Sequence, residues 1–206
     1  EIFFYRFLIA YIGIWAISPK HLFADNLKDE LWLVAGGVFG GSLYFFTENT
    51  ALGITQASNV AFIICTAPLL TTILSLLFYK SEKATKGLIY GSLLALIGVG
   101  LVVFNGSVVL KLSPVGDLLT LLAALSWAFY SLVIKRMTGR YPTVFITRKI
   151  FFYGVLTILP AFLLHPLQPD LDILLKPIVL SNLLFLAVLA SLICYVLWNV
   201  VLKQLG

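Results

Sequence analysis

The sequence predicts an all-α protein, a polytopic bundle of about seven membrane-crossing helices. Composition is the first reason. Of 206 residues, 61% are hydrophobic and 11% are charged, with a mean hydropathy of +1.04. An ordinary soluble domain is about 45–50% apolar and about 25% charged. So few polar groups cannot cover a water-facing surface of this size, whereas lipid removes the need to cover it. Patterning is the second reason. The apolar residues come in continuous runs close to the ~20 residues that a helix needs to cross the hydrocarbon core. They do not alternate in segments of about ten, as the strands of a membrane β-barrel would.

Seven runs meet this description. They are Ile2–Ser18, Leu31–Leu52, Ala57–Tyr79, Gly87–Phe104, Gly116–Ile134, Phe145–Leu164 and Leu180–Leu202. Turn and charge chemistry is concentrated between them, in SPKHLFADNLKDE, YKSEKATK, NGSVVLKLSPVGD, KRMTGRYP and HPLQPDLDILLKP. GITQASN forms a tight connector between the second and third runs.

Seven spans place alternate connectors on opposite sides. One side receives Lys20, Lys28, Lys80, Lys83, Lys86, Lys135, Arg136, Arg140 and Lys203, with Arg148 and Lys149 at a helix entrance. The other receives Lys111 and Lys176. The positive-inside rule makes the Lys80–Lys86 loop cytoplasmic. The net charge of +5 is therefore topological, and its dispersal argues against nucleic acid as a partner. Membrane lipid and a small-molecule solute are the expected partners; the sequence sets no oligomeric state. Cys65 and Cys194 lie in apolar runs with no metal-ligand spacing, and His21 and His165 stand alone in connectors, so neither a metal nor a cofactor is expected. The opening, EIFFYRFLIAYIGIWAIS, has no basic leader or cleavage site and reads as the interior of a longer protein.

The stretch from Glu48 to Asn105 is the most specific. It combines AL leading to TQASNVA, Pro68 in mid-span, Glu82 at a helix exit, Gly91, and a GVGLVV ending. GDLLTLLAALSWAFYSLVIKRM and LFLAVLASLICYVLWNVVLKQLG extend the same order. Together these resemble the EamA-like, ten-helix branch of the drug/metabolite transporter superfamily. The resemblance implies part of an inverted-repeat transporter. On it, residues 1–105 are a first repeat lacking its first helix, and 116–206 the start of a second lacking its last two. The seven spans then correspond to helices two through eight. It also implies export or exchange of small organic metabolites, such as amino acids or drug-like compounds, by alternating access, in the inner membrane of a bacterial cell. Two internal alignments fit such a repeat: YRFLIAYIGIWAI over TRKIFFYGVLTIL, pairing Arg6 with Arg148, and FFTENTAL over VLWNVVL, pairing Asn49 with Asn199.

Charged and polar groups inside spans mark candidate function, because lipid makes them expensive. Arg6 and Glu48 sit within the first and second runs, toward the same side, as the flanks of a substrate path or as a structural pair. Asn49, Asn59 and Asn199 are either interhelical hydrogen-bonding groups or solute contacts. Trp127 and Tyr130 share a helix face and are candidates to line a pocket. Pro68 interrupts the third run as a hinge or packing kink, with Thr71 and Thr72 placed to bond the carbonyls it frees. Gly36, Gly37, Gly40 and Gly41 form overlapping GxxxG patterns, suited to close packing or a rocking surface. No nucleotide motif is present, and the runs hold no histidine and, apart from Asp117 at the edge of the fifth, one acid, so an enzyme is not expected. A noncatalytic membrane scaffold is the alternative.

Overall fold

The computed structural model describes residues 2–17, 23–79, 85–104, 113–164, 167 and 170–205. Every regular element among them is helical. Lys20, His21, Lys80, Glu82, Lys83, Lys111 and His165 lie outside the described residues.

Helix α1 is Ile2–Ile17. Helix α2, Leu27–Gly37, runs through a π-helical stretch, Val38–Ser42, into α3, Leu43–Leu52. Helices α4, Ala57–Ile64, and α5, Ala67–Phe78, follow, then α6, Lys86–Phe104, and α7, Pro114–Thr138. Helix α8 is Thr143–Ile158, trailed by the short α9, Ala161–Leu164, and α10, Leu171–Leu174. Helix α11, Pro177–Leu184, passes through a second π-helical stretch, Phe185–Ile193, into α12, Cys194–Leu205. Helical bodies thus stand where the seven apolar runs place them. Among the described residues, four are long and apolar enough to cross a membrane: Ala57–Phe78, Pro114–Thr138, Thr143–Leu163 and Pro177–Gln204. The helix over 27–52 is long enough but diluted by four glycines and Glu48, and α1 is shorter at 16 residues.

Local chemistry sets the ends. The Asn26 side chain caps α2 by accepting from the Asp29 amide at 2.8 Å, so the helix starts four residues before the expected Leu31. Asp117 accepts from the Ser113 amide at 3.2 Å, fixing the start of α7 behind Pro114. The third run breaks at Cys65–Thr66, and Pro68 occupies the first turn of α5, where its missing N–H is harmless. Thr71 and Thr72 do not serve the break. They bond back one turn to the carbonyls of Ala67 and Pro68, at 2.8 and 3.0 Å. Thr66 caps the end of α4 instead, donating to the Ile63 carbonyl at 2.6 Å.

The residues gather into two compact units, Glu1–Ser42 with Val133–Gly206, and Leu43–Leu132. In the first, α1 packs on α8 and on the second π-helical stretch, while α2 and the first π-helical stretch pack along α8. Its centre is Phe7, fully buried, edge-on to Phe151 at 4.9 Å and to Tyr195 at 5.7 Å. Glycine sets the closest approach. A Cβ on Gly37 would come within 3.0 Å of the Gly154 amide nitrogen, and one on Gly154 within 2.8 Å of the Phe7 ring. In the second unit, α4 lies against α6, and Tyr44, Phe45, Trp127 and Tyr130 form an aromatic group.

The glycines divide accordingly. Gly37→Ala forces backbone apart and is expected to destabilise by about 1–3 kcal/mol. Gly98→Ala, with nothing within 4 Å of its added methyl, is expected to be neutral or to stabilise by up to ~1 kcal/mol. Denaturant unfolding in detergent, followed by circular dichroism, measures both.

Candidate functional site: a buried polar seam beside a charged cluster

In lipid a polar side chain must be satisfied within the protein. The first unit meets this demand with a line of polar contacts along one face of its last helix. Ser191, Tyr195 and Asn199 are spaced four residues apart and all buried. Each meets a different element. Ser191 Oγ accepts from Arg6 Nε of α1 at 2.8 Å. The Tyr195 hydroxyl donates to the carbonyl oxygen of Gly40, in the first π-helical stretch. Asn199 Nδ2 donates to Thr147 Oγ1 of α8 at 2.9 Å. Ser42 and Thr157 share a further hydrogen bond of 2.8 Å. Both π-helical stretches contribute to this seam, and such stretches recur at functional sites because they loosen the regular backbone ladder.

A charged cluster lies at the end of this unit where α2 and α8 begin. Asp29 and Arg140 form an ion pair at 2.8 Å, and Asn26 and the Tyr141 hydroxyl also donate to Asp29, at 2.9 and 3.0 Å. Glu30 pairs with Lys149, accepts from the Tyr153 hydroxyl and accepts from the Ala24 amide at 2.7 Å. The Lys149 ammonium also stands 4.9 Å from the Phe23 ring centre, 5.7 Å from Phe152 and 4.7 Å from Tyr153. These rings supply cation–π attraction where water is scarce. Arg148 and Lys149 do not lie open at a helix entrance, being only 2% and 3% exposed.

The two acids titrate low. Burial opposes ionisation of Asp29, but the bonds from Asn26, Arg140 and Tyr141 outweigh it and hold the carboxyl below its ordinary range. Burial likewise opposes ionisation of Glu30, and Lys149, Tyr153 and the Ala24 amide overcome it. Burial raises the Tyr141 phenol, and the Asp29 carboxylate beside it adds to the rise.

Among the expected site residues, Arg6 and Asn199 belong to the seam. The others lie in the second unit. Glu48 accepts from the Tyr44 hydroxyl at 3.1 Å, and the Tyr44 ring packs tilted against Trp127, centroids 5.2 Å apart, with Trp127 5.0 Å from Tyr130. Tyr130 is fully buried as part of the core, Trp127 is half-buried, and Asn49 is exposed. Asn49 and Asn199 therefore match in sequence but not in environment. Asn59 is 3% exposed. Sequence reasoning passed over Ser191, Thr147 and the charged cluster. The i, i+4, i+8 spacing of Ser191, Tyr195 and Asn199 was the available signal for the seam. Asp29 and Glu30 carried none, since connector acids are ordinarily solvated.

The sequence model of the EamA-like transporter family matches residues 1–104 and 114–206. The chain belongs to that family. It is 27% identical over 199 residues to an uncharacterized transporter of Archaeoglobus fulgidus, covering 95% of this chain and 67% of that protein. It is 29% identical to the uncharacterized transporter YyaM of Bacillus subtilis, covering 82% and 55% respectively. A third relative, YdfC of the same bacterium, is 33% identical across 56% of this chain and 37% of its own. The chain thus spans about a third to two thirds of the length of these curated relatives. A crystallised protein of 18% identity shares the fold, with a TM-score of 0.75 over 98% of this chain and 69% of that one. The transporter family and the apolar helices together make this an integral membrane protein.

Two measurements probe the geometry. A double-mutant cycle on Thr147→Val and Asn199→Ala is expected to give a coupling of about 0.6 kcal/mol, and at most about 1.7. The second concerns acid. Both carboxyls are held low, so their contribution is complete above about pH 4 and is lost as pH falls through the lowered values. Thermal unfolding between neutral and strongly acidic pH is expected to show that loss, and Asp29→Asn to show a smaller one.

Proposed function

We propose that this protein is a secondary transporter that moves small organic metabolites, amino acids or drug-like compounds, by alternating access, as an exporter or exchanger. The observation that supports this most directly is the buried seam of Arg6–Ser191, Tyr195–Gly40 and Asn199–Thr147. A merely lipid-embedded bundle gains little from a cation and a π-helical carbonyl on one buried line. A solute gains orientation from them. Arg6 supplies a fixed charge for a carboxylate, and Tyr195, with Phe7 and Phe151 around it, supplies an apolar wall.

In this reading residues 1–105 and 116–206 are two EamA-like repeats, which the separate family matches support. The membrane is a bacterial cell (inner) membrane, and the Lys80–Lys86 loop is cytoplasmic by the charge bias. Within the second unit Glu48, Trp127 and Tyr130 are joined through Tyr44 as further candidate path residues, with Glu48 the candidate proton carrier, and Asn49 is a candidate at an exposed position. The break before Pro68 is a hinge candidate, because a helix interrupted in mid-run bends there at low cost.

Counterflow of labelled amino acids and aromatic metabolites into proteoliposomes tests the reading. Saturable flux is expected, and Arg6→Gln is expected to lower it about tenfold, as loss of a charged hydrogen bond implies. The helical spectrum and melting temperature should hold. Equal flux in Arg6→Gln removes the seam from the path, while no flux of any tested solute favours a noncatalytic scaffold.

A further inference from the structure

The charged cluster at the start of α2 has properties that a static brace does not need. Asp29 is 2% exposed and Lys149 3%. Charges buried this deeply add little net stability over an apolar contact of the same shape. Charges paired across two helices suit a joint with two states, in which each pair is either made or replaced by solvent. Both acids sit on α2. Asn26 and the Ala24 amide bond them from their own side, while their cationic and phenolic partners sit on one opposing body, Arg140 and Tyr141 in the turn before α8, and Lys149 and Tyr153 on α8 itself. Both of these ion pairs therefore cross one joint, at one end of it.

The rest of that joint is built differently. Further along, α2 and α8 meet through Gly36 and Gly37 against Ile150, Tyr153 and Gly154, with no charge among them. Small residues at a crossing let one helix tilt on another without a large side chain blocking it. Immediately beyond the crossing, the chain enters the π-helical stretch Val38–Ser42, where the regular backbone ladder is already interrupted. The geometry is that of a short lever, with a fulcrum at Gly37, a compliant segment on one side and ionic contacts on the other.

Release need not strand the cations. The Arg140 side chain is 54% exposed, so water is at hand when Asp29 leaves. Lys149 keeps the Phe152 and Tyr153 rings of its own helix beside its ammonium when Glu30 leaves. The acids lie in the first turn of α2, at the helix end nearest the connector.

We propose that Asp29–Arg140 and Glu30–Lys149 form a releasable latch that holds the start of α2 on α8, pivoting at the Gly37–Gly154 crossing. The latch closes the basic end of this unit and, on the transporter reading above, governs access to the seam from that side. Its existence as a two-state joint does not depend on transport.

Spin labels at the exposed positions Lys28 and Gly139, on a background with Cys65 and Cys194 replaced, report the joint by pulsed dipolar spectroscopy in nanodiscs without solute. The wild-type background is expected to show one dominant short distance and a minor longer one below ~10%, as minor states usually are. Glu30→Gln and Arg140→Gln are each expected to raise the longer population at least about fivefold, and the exchange Glu30→Lys with Lys149→Glu to restore the short one. A single unchanged distance in both Gln variants overturns the latch. Should Glu30→Gln fail to fold, Arg140→Gln decides alone, since its side chain is half in solvent. Arg6→Gln separates the two readings: it should lower flux while leaving the distances as in the wild-type background. Distances that respond as expected in a protein without flux retain the latch and remove the transporter reading.

Discussion

The contact on which the first unit depends is the approach of α2 to α8 at Gly37 and Gly154. Lipid offers helices no hydrophobic drive to associate, so close packing and hydrogen bonds must do that work. Closeness requires that no side chain intervene. At Gly37 a methyl would already press on the backbone of Tyr153 and Gly154, and Phe7 of α1 fills the space that Gly154 leaves open. Three helices are brought into register by one crossing.

The neighbouring contacts follow from that register. Toward one end, Asp29 and Glu30 reach Arg140, Tyr141 and Lys149. Toward the other, Ser42 meets Thr157. Between them, Gly40 presents its carbonyl to Tyr195. The last helix is thereby fixed in rotation, which turns Ser191 toward Arg6 and Asn199 toward Thr147. The same arrangement satisfies polar groups that lipid cannot and gathers them on one line. Stability and the candidate function share their residues here, so substitutions in the seam need a fold readout beside any flux readout.

Both units hold polar groups in two ways. Long-range pairs join separate segments, Asn199 with Thr147 in the first and Tyr79 with the Leu132 carbonyl in the second. Threonines also bond back to the carbonyls of their own turns, as Thr157 does in the first and Thr71 and Thr72 do in the second. Back-bonding of this kind satisfies a hydroxyl without a partner helix. It also explains why Pro68 could not be read fully from spacing. The proline ends up in a first turn, where it frees nothing that Thr71 or Thr72 must repair.

The sequence by itself determined the helical class, the positions of the seven helical bodies, the break near Pro68 and the family. Each follows from local quantities: run length, turn residues and ordered short motifs. It also marked Arg6 and Asn199, because a polar residue inside an apolar run is conspicuous wherever the run packs. It did not place Asp29 and Glu30, which looked like solvated connector charges, or Lys149, which looked like a charge at a helix entrance. Nor did it find Ser191 and Thr147, whose hydroxyls are unremarkable in a membrane helix. Those residues acquired their roles only when α2 crossed α8 at Gly37, because burial and pairing belong to the rotation and depth of helices against one another. Hydropathy fixes which segments enter the apolar phase; it does not fix which faces meet there.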